Sequence, residues 1–90
     1  PGEVVPAREL LGDLFMELGE FRRALEAYES NLERHPGRFN GLYGAALAAE
    51  KSGETDKAIG YFQQLVSTAR PLDTSRPEIA FAQNFLKTNS

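Results

Sequence analysis

The sequence predicts an all-α fold of antiparallel helix-pair repeats, about five helices in all, and three observations carry that prediction. The chain aligns with itself at one fixed offset, the one that sets Gly19 on Gly53. Its apolar residues recur at three- and four-residue steps, which gathers them on one face of a helix. Gly and Pro fall between those stretches, where helices stop.

At that offset Glu20 also meets Glu54, Arg23 meets Lys57 and Ala24 meets Ala58. Leu25 meets Ile59, Tyr28 meets Phe62 and Leu32 meets Val66. One shared Gly would carry no weight. Seven like-for-like matches spread over both halves of the unit do. Leu11, Gly12 and Phe15 meet Ala45, Ala46 and Ala49, all small or apolar.

The first helix is expected over Arg8 to Leu18, with Leu10, Leu11, Leu14, Phe15 and Leu18 at helical steps, and Gly19 ends it. The second runs from Phe21 to Arg34 on Ala24, Leu25, Tyr28 and Leu32, and Pro36-Gly37 stops it. The third runs from about Phe39 to Lys51 and breaks at Ser52-Gly53. Asn40-Gly41 alone would signal a hairpin, but no alternating run flanks it, so it reads as a helix start. The fourth runs from about Thr55 to Thr68, with Pro71 marking its end. Ser75 and Glu78 form a Ser-x-x-Glu capping pattern with Pro77 early in the first turn of a fifth helix. Ile79, Ala82 and Leu86 follow at helical spacing with Phe81 and Phe85 beside them, and residues 87–90 are expected to fray.

The chain is therefore a single domain over 1–90, with one repeat at about 5–38, a second at about 39–71 and a closing helix at about 75–87. Gly12 and Ala46 suit the crossing point within each pair, and Ala24 and Ala58 suit the opposing helix. Phe15, Tyr28 and Phe62 fill the space beside them, because large rings pack where small residues let backbones approach. Neither pair covers its apolar face alone, and stacking neighbours does so.

Composition limits the function. A net charge of −3 and a pI near 5.1 argue against nucleic acid, whose phosphates need a basic face. The same balance argues against an anionic membrane surface. No run reaches the ~18 apolar residues of a membrane span. With no cysteine there is neither a disulfide nor a thiolate metal site. Pro1-Gly2-Glu3 shows no basic stretch leading into an apolar one, so no export signal is visible and the default compartment is cytoplasmic. The chain also starts without Met, as a processed product or a piece of a longer protein would.

The unit then becomes specific. The first reads Arg8-x2-Leu11-Gly12-x2-Phe15, then Ala24-x3-Tyr28, then Pro36. The second reads Leu42-x2-Ala45-Ala46-x2-Ala49, then Ala58-x3-Phe62, then Pro71. This resembles the tetratricopeptide repeat, W-x2-L-G-x2-Y…A-x3-F…P, over roughly residues 5–71. Arg8 departs from the Trp, Ala49 replaces the aromatic of the first helix, and Pro71 falls one residue late. Segment 75–87 resembles the solvating helix that closes such arrays.

The resemblance implies a right-handed superhelix whose first helices line a concave groove that holds a protein or peptide partner. By analogy the groove-facing residues are Glu9, Asp13 and Glu17 in the first unit, with Tyr43, Leu47 and Lys51 at the matching places of the second. Each trio lies in one stripe at i, i+4, i+8. The best-known groove of this family grips a carboxylate with Lys, Arg and Asn. Glu9 and Asp13 stand where that would need cationic or amide groups, so this mode is not expected. An acidic stripe, extended by Glu20, beside Tyr43 and Leu47 suits a basic peptide. A solvated helix face is the plainer reading of the same stripe.

No catalytic, cofactor or metal site is expected. His35 is the only histidine, and it sits between Arg34 and Pro36 at a helix end, where it complements the helix dipole. Gly41-Leu42-Tyr43-Gly44 lacks the spacing and the Lys of a phosphate-binding loop. The first function expected is therefore a protein-interaction module without enzymatic activity. The alternative is structural, as the C-terminal part of a longer array or a homodimer. Two repeats are fewer than the ~3 usually wanted for stability, and the front of Arg8–Leu18 is left as an apolar seam. Glu3-Val4-Val5-Pro6 hints at a continuation upstream.

Overall fold

A computed structural model of the chain describes residues 6–73 and 75–89. Among them five α-helices follow one another: α1 (Ala7–Glu17), α2 (Phe21–Arg34), α3 (Phe39–Lys51), α4 (Thr55–Thr68) and α5 (Pro77–Thr88). A 3-10 turn, Pro71–Asp73, lies between α4 and α5. Among the described residues there is no strand. Asn40 and Gly41 lie in the first turn of α3, as a helix start rather than a hairpin. The Glu3-Val4-Val5 segment lies outside the described residues, as does the last residue of the expected frayed end.

The two turns inside the pairs are built alike. Gly19 and Gly53 take φ of 77° and 83°, a left-handed conformation that costs a Cβ-bearing residue about 1–2 kcal/mol. Gly19 N–H bonds to the Met16 carbonyl and Glu20 N–H to the Phe15 carbonyl. Gly53 and Glu54 repeat this with Glu50 and Ala49. Each is a Schellman closure that satisfies the orphan carbonyls of one helix and reverses the chain at once. The shared Gly-Glu of the two repeats is thus the physical joint of each pair.

Packing proceeds along the chain, with α1 on α2, α2 on α3, α3 on α4 and α4 on α5. The third helix has a neighbour on both sides, and Ala45, Ala46, Ala48 and Ala49 on it are all fully buried. Ala49, where the repeat pattern has an aromatic, belongs to that tight contact. Leu25, Tyr28, Leu42, Phe62 and Leu65 complete the core, and Ile79 and Ala82 seal it from α5. Polar ties join the second helices: Tyr61 donates to Glu29, Lys57 Nζ lies 3.2 Å from the same carboxylate, and Arg22 lies 3.4 Å from Glu54.

The capping pattern expected at the closing helix is not formed. The N-cap of α5 is Arg76, with no side-chain cap hydrogen bond, and Pro77 occupies the first turn. Arg76 is held otherwise. Its guanidinium lies 3.7 Å from the Phe39 ring centroid and pairs with Asp73 and Glu78 at 3.9 and 3.6 Å. A stacked, ion-paired arginine fixes the helix entry here, and α5 runs over 77–88 rather than 75–87.

Candidate functional site

A groove of about 490 Å³ lies between α1 and α3. One wall is Glu9, Leu10, Asp13, Met16 and Glu17. The other is Asn40, Tyr43, Gly44 and Leu47, with Tyr28 of α2 between them. Two glycines create that floor. A Cβ built on Gly12 would stand 2.6 Å from the Tyr28 ring, and one built on Gly44 would stand 2.5 Å from it. Both are closer than Cβ atoms come in real proteins, so the ring fits only because both positions lack a side chain. The Tyr28 hydroxyl donates to Asp13 Oδ1. Burial, that hydrogen bond and the nearby carboxylates of Asp13 and Glu9 push the phenol pKa well above its ordinary value.

Five of the six residues expected on the groove line it together: Glu9, Asp13, Glu17, Tyr43 and Leu47. Lys51 does not, for its ammonium lies 5.5 Å from the Phe21 ring centroid, at the far end of α3. The five are not equivalent. Glu9 is buried, and its carboxylate accepts from Arg38 Nε at 2.7 Å. Gly41 is its neighbour there, since a Cβ built on Gly41 would be in ordinary contact with Glu9 Oε1 at 3.5 Å. The carboxylate thus rests at the first turn of α3, where the helix dipole favours negative charge. Glu9 is therefore neither solvated nor free to meet a partner. Asp13 and Glu17 are exposed. Glu17 makes no hydrogen bond or ion pair among the described residues, and no cationic side chain lines the groove. Glu20, read as an extension of the acidic patch, pairs with Arg23 at 3.9 Å.

Tyr43 is half-buried, with its ring edge-on to Phe62 at 6.4 Å and to Phe81 at 6.3 Å. Burial, and then the Glu78 charge, raise its pKa. Phe81, on α5, keeps 44% of its surface exposed. Sequence reading assigned Phe81 only to the closing helix, yet a signal was present. Phe81 follows Leu47 by the same interval that carries Gly19 to Gly53, and Leu47 follows Asp13 by that interval again. Phe81 thus holds the same register position on α5, where its ring meets Tyr43 of the groove.

The succession of paired helices, the Gly-Glu joints and the shared register decide the family. A tetratricopeptide-repeat family model matches residues 9–74. The chain belongs to the tetratricopeptide-repeat family. Repeats of this family generally serve protein–protein interaction or scaffolding, and the family is generally non-catalytic. Comparison with curated proteins and with solved structures gave no match. In this tetratricopeptide pair, Arg8 stands at the Trp position of the motif and lines a second cleft with Pro6, Ala7, Asn31, Arg34 and His35. His35 is the C-cap of α2. Asn31 is buried, and its Nδ2 has no hydrogen-bond partner among the described residues. Among the described residues no group of three or more His, Asp or Glu side chains is placed to hold a metal ion. Among them, too, no helix is long and apolar enough to cross a membrane.

Proposed function

We propose that this domain is a protein-interaction module that holds a basic segment of a partner protein in the groove between α1 and α3. The observation that carries this reading is the pair of exposed carboxylates, Asp13 and Glu17, set beside Tyr43 and Leu47 with no cation lining the same groove among the described residues. A charged rim next to aromatic and aliphatic surface is the anatomy of an interface. Glu9 supports the site rather than contacting a ligand, because its charge is already neutralised by Arg38.

Titration calorimetry of a lysine-rich peptide against the native domain and Glu17→Lys tests this. Glu17 has no structural partner among the described residues, so the variant keeps its fold. The expected result is binding to the native domain that weakens with salt and is lost in Glu17→Lys. Equal affinity for both proteins overturns the proposal.

A second reading rests on a different observation. Leu11 is 43% and Leu14 50% exposed, while their repeat mates Ala45 and Ala48 are fully buried. Leu10 and Leu18 continue that apolar face. In α3 the preceding helix α2 lies alongside. We infer that α1 takes an equivalent helix from a preceding pair of a longer array. That helix differs from α2, because Leu10 stands where Gly44 admits the Tyr28 ring. Sedimentation velocity across a wide concentration range tests it. A monomer whose exposed leucines bind an apolar dye agrees with a missing neighbour. A concentration-dependent dimer, dispersed by Leu14→Glu, assigns the face to a second copy instead.

A further inference from the structure

Through Tyr43 the groove between α1 and α3 adjoins an exposed ring on the closing helix, Phe81. Asp13, Leu47 and Phe81 occupy one register position on α1, α3 and α5, each a full repeat from the next. Along that row the surface runs from carboxylate to aliphatic to aromatic. At the first end Asp13 and Glu17 are exposed, and among the described residues no cation lines the groove beside them. At the other end Phe81 is exposed although it belongs to an aromatic cluster. Its ring lies 5.8 Å from Phe62 and 6.3 Å from Tyr43, which itself lines the groove. The Tyr43 contact makes the two ends one continuous surface. Those rings fix Phe81 from behind, so it can offer its free face with little loss of rotamer freedom.

Resting on the interaction role proposed above, we propose that the groove selects an extended, two-ended segment. A Lys or Arg side chain lies against Asp13 and Glu17, and an apolar or aromatic side chain lies against Phe81 and Tyr43. Charge complementarity fixes the first end and unspent aromatic surface the second. The geometry also sets the spacing. Taking about 8–10 Å for each step from α1 to α3 and from α3 to α5, the crossing covers roughly 16–20 Å. An extended chain advances about 3.3 Å per residue, which places the two anchors about five or six residues apart. A segment lying along one helix would meet only one end of this surface.

The test uses the domain as it stands and three labelled peptides read by fluorescence anisotropy. The first carries Lys-Lys followed, six residues on, by Phe in a Gly-Ser background. In the second Gly replaces that Phe, and in the third the Phe adjoins the lysines. The native domain is expected to prefer the first over either control by about tenfold, the effect of half-burying one phenyl side chain. Phe81→Ala should erase that preference. Because Phe81 also contacts the core, helical content of the variant is checked first. Shifts of the Phe81 and Tyr43 ring resonances in the native domain on adding the first peptide give a second readout. If all three peptides bind alike and the ring resonances stay still, the two-ended groove is wrong although a basic-segment groove stands. If none binds, both readings fall.

Discussion

The Glu9 carboxylate accepts a hydrogen bond from Arg38 Nε at 2.7 Å, and this pair ties the first helix of one repeat to the N-cap of the first helix of the next. Glu9 is buried while Arg38 keeps about a quarter of its side chain exposed, 26%. Removing the cation strands a buried charge. A fully buried pair broken from one side loses ~3–5 kcal/mol, and water reaching Arg38 trims that to about 2–3 kcal/mol for Arg38→Met. The exposed pair Arg22–Glu54 spans the same two repeats, but Arg22→Ala should cost under about 1 kcal/mol. Urea unfolding of the two variants compares them directly, and equal midpoints would contradict the assignment of the inter-repeat tie to Glu9.

The Tyr28 ring is held by two absent side chains. Gly12→Ala and Gly44→Ala each place a methyl within 2.6 Å of it. Overpacking of this kind costs about 1–3 kcal/mol, which exceeds the gain of up to ~1 kcal/mol from replacing Gly in a helix. Gly60, within α4, has nothing within 4 Å of its missing Cβ. Gly60→Ala therefore keeps the propensity gain and should stabilise by about 0.5–1 kcal/mol. Thermal melts should show opposite signs, at roughly 4–8 °C per kcal/mol for a domain this small.

The helix pairs were legible because their signals are local and repeated. Gly19 and Gly53 mark joints that any chain of L-residues needs at a left-handed turn, and the repeat register cross-checks each element. The groove was legible only in part. Glu9, Asp13 and Glu17 share one helical stripe, yet Glu9 is drawn inside by Arg38, which lies in the following repeat. No spacing rule reveals such a partner. The exposure of Phe81 has the same origin, since it depends on how α5 settles against α3 and α4. The Ser75 pattern misled because a stacked arginine, Arg76, supplied the helix entry that the capping box would have given.

Asn31 offers a route to a more stable domain. It is 1% exposed, and its Nδ2 has no partner among the described residues. Its mate in the next repeat is Leu65, which is fully buried in the equivalent place. An unsatisfied buried donor costs about 1–3 kcal/mol. Asn31→Leu removes that cost and adds apolar burial at a position whose counterpart already accepts leucine. The expected outcome is a rise in stability of about 1–3 kcal/mol, measured by urea midpoint. A fall would mean that the Asn31 amide has a partner in solution, and the cleft beside Arg8 and Arg34 is where to look for it.

All three tyrosines have raised pKa values, and this gives the domain a defined alkaline limit. Tyr28 and Tyr61 are raised by burial and then by donating to carboxylates, Asp13 and Glu29, that repel a phenolate. The folded state thus holds these protons more tightly than the unfolded chain, whose tyrosines titrate near 10. Their stabilising effect is complete below about pH 10 and declines as pH rises past it, because only the unfolded chain then gains by ionising. Phenolate absorbance should stay low through pH 10 and then rise together with loss of the helical circular dichroism signal. Tyr28→Phe removes one of the linked protons and the Asp13 hydrogen bond, worth about 0.5–1.5 kcal/mol. It should lower stability at pH 7 and flatten the decline above pH 10. Phenolate that appears well before the helices are lost and is absent from Tyr28→Phe would show that Asp13 does not hold the Tyr28 proton.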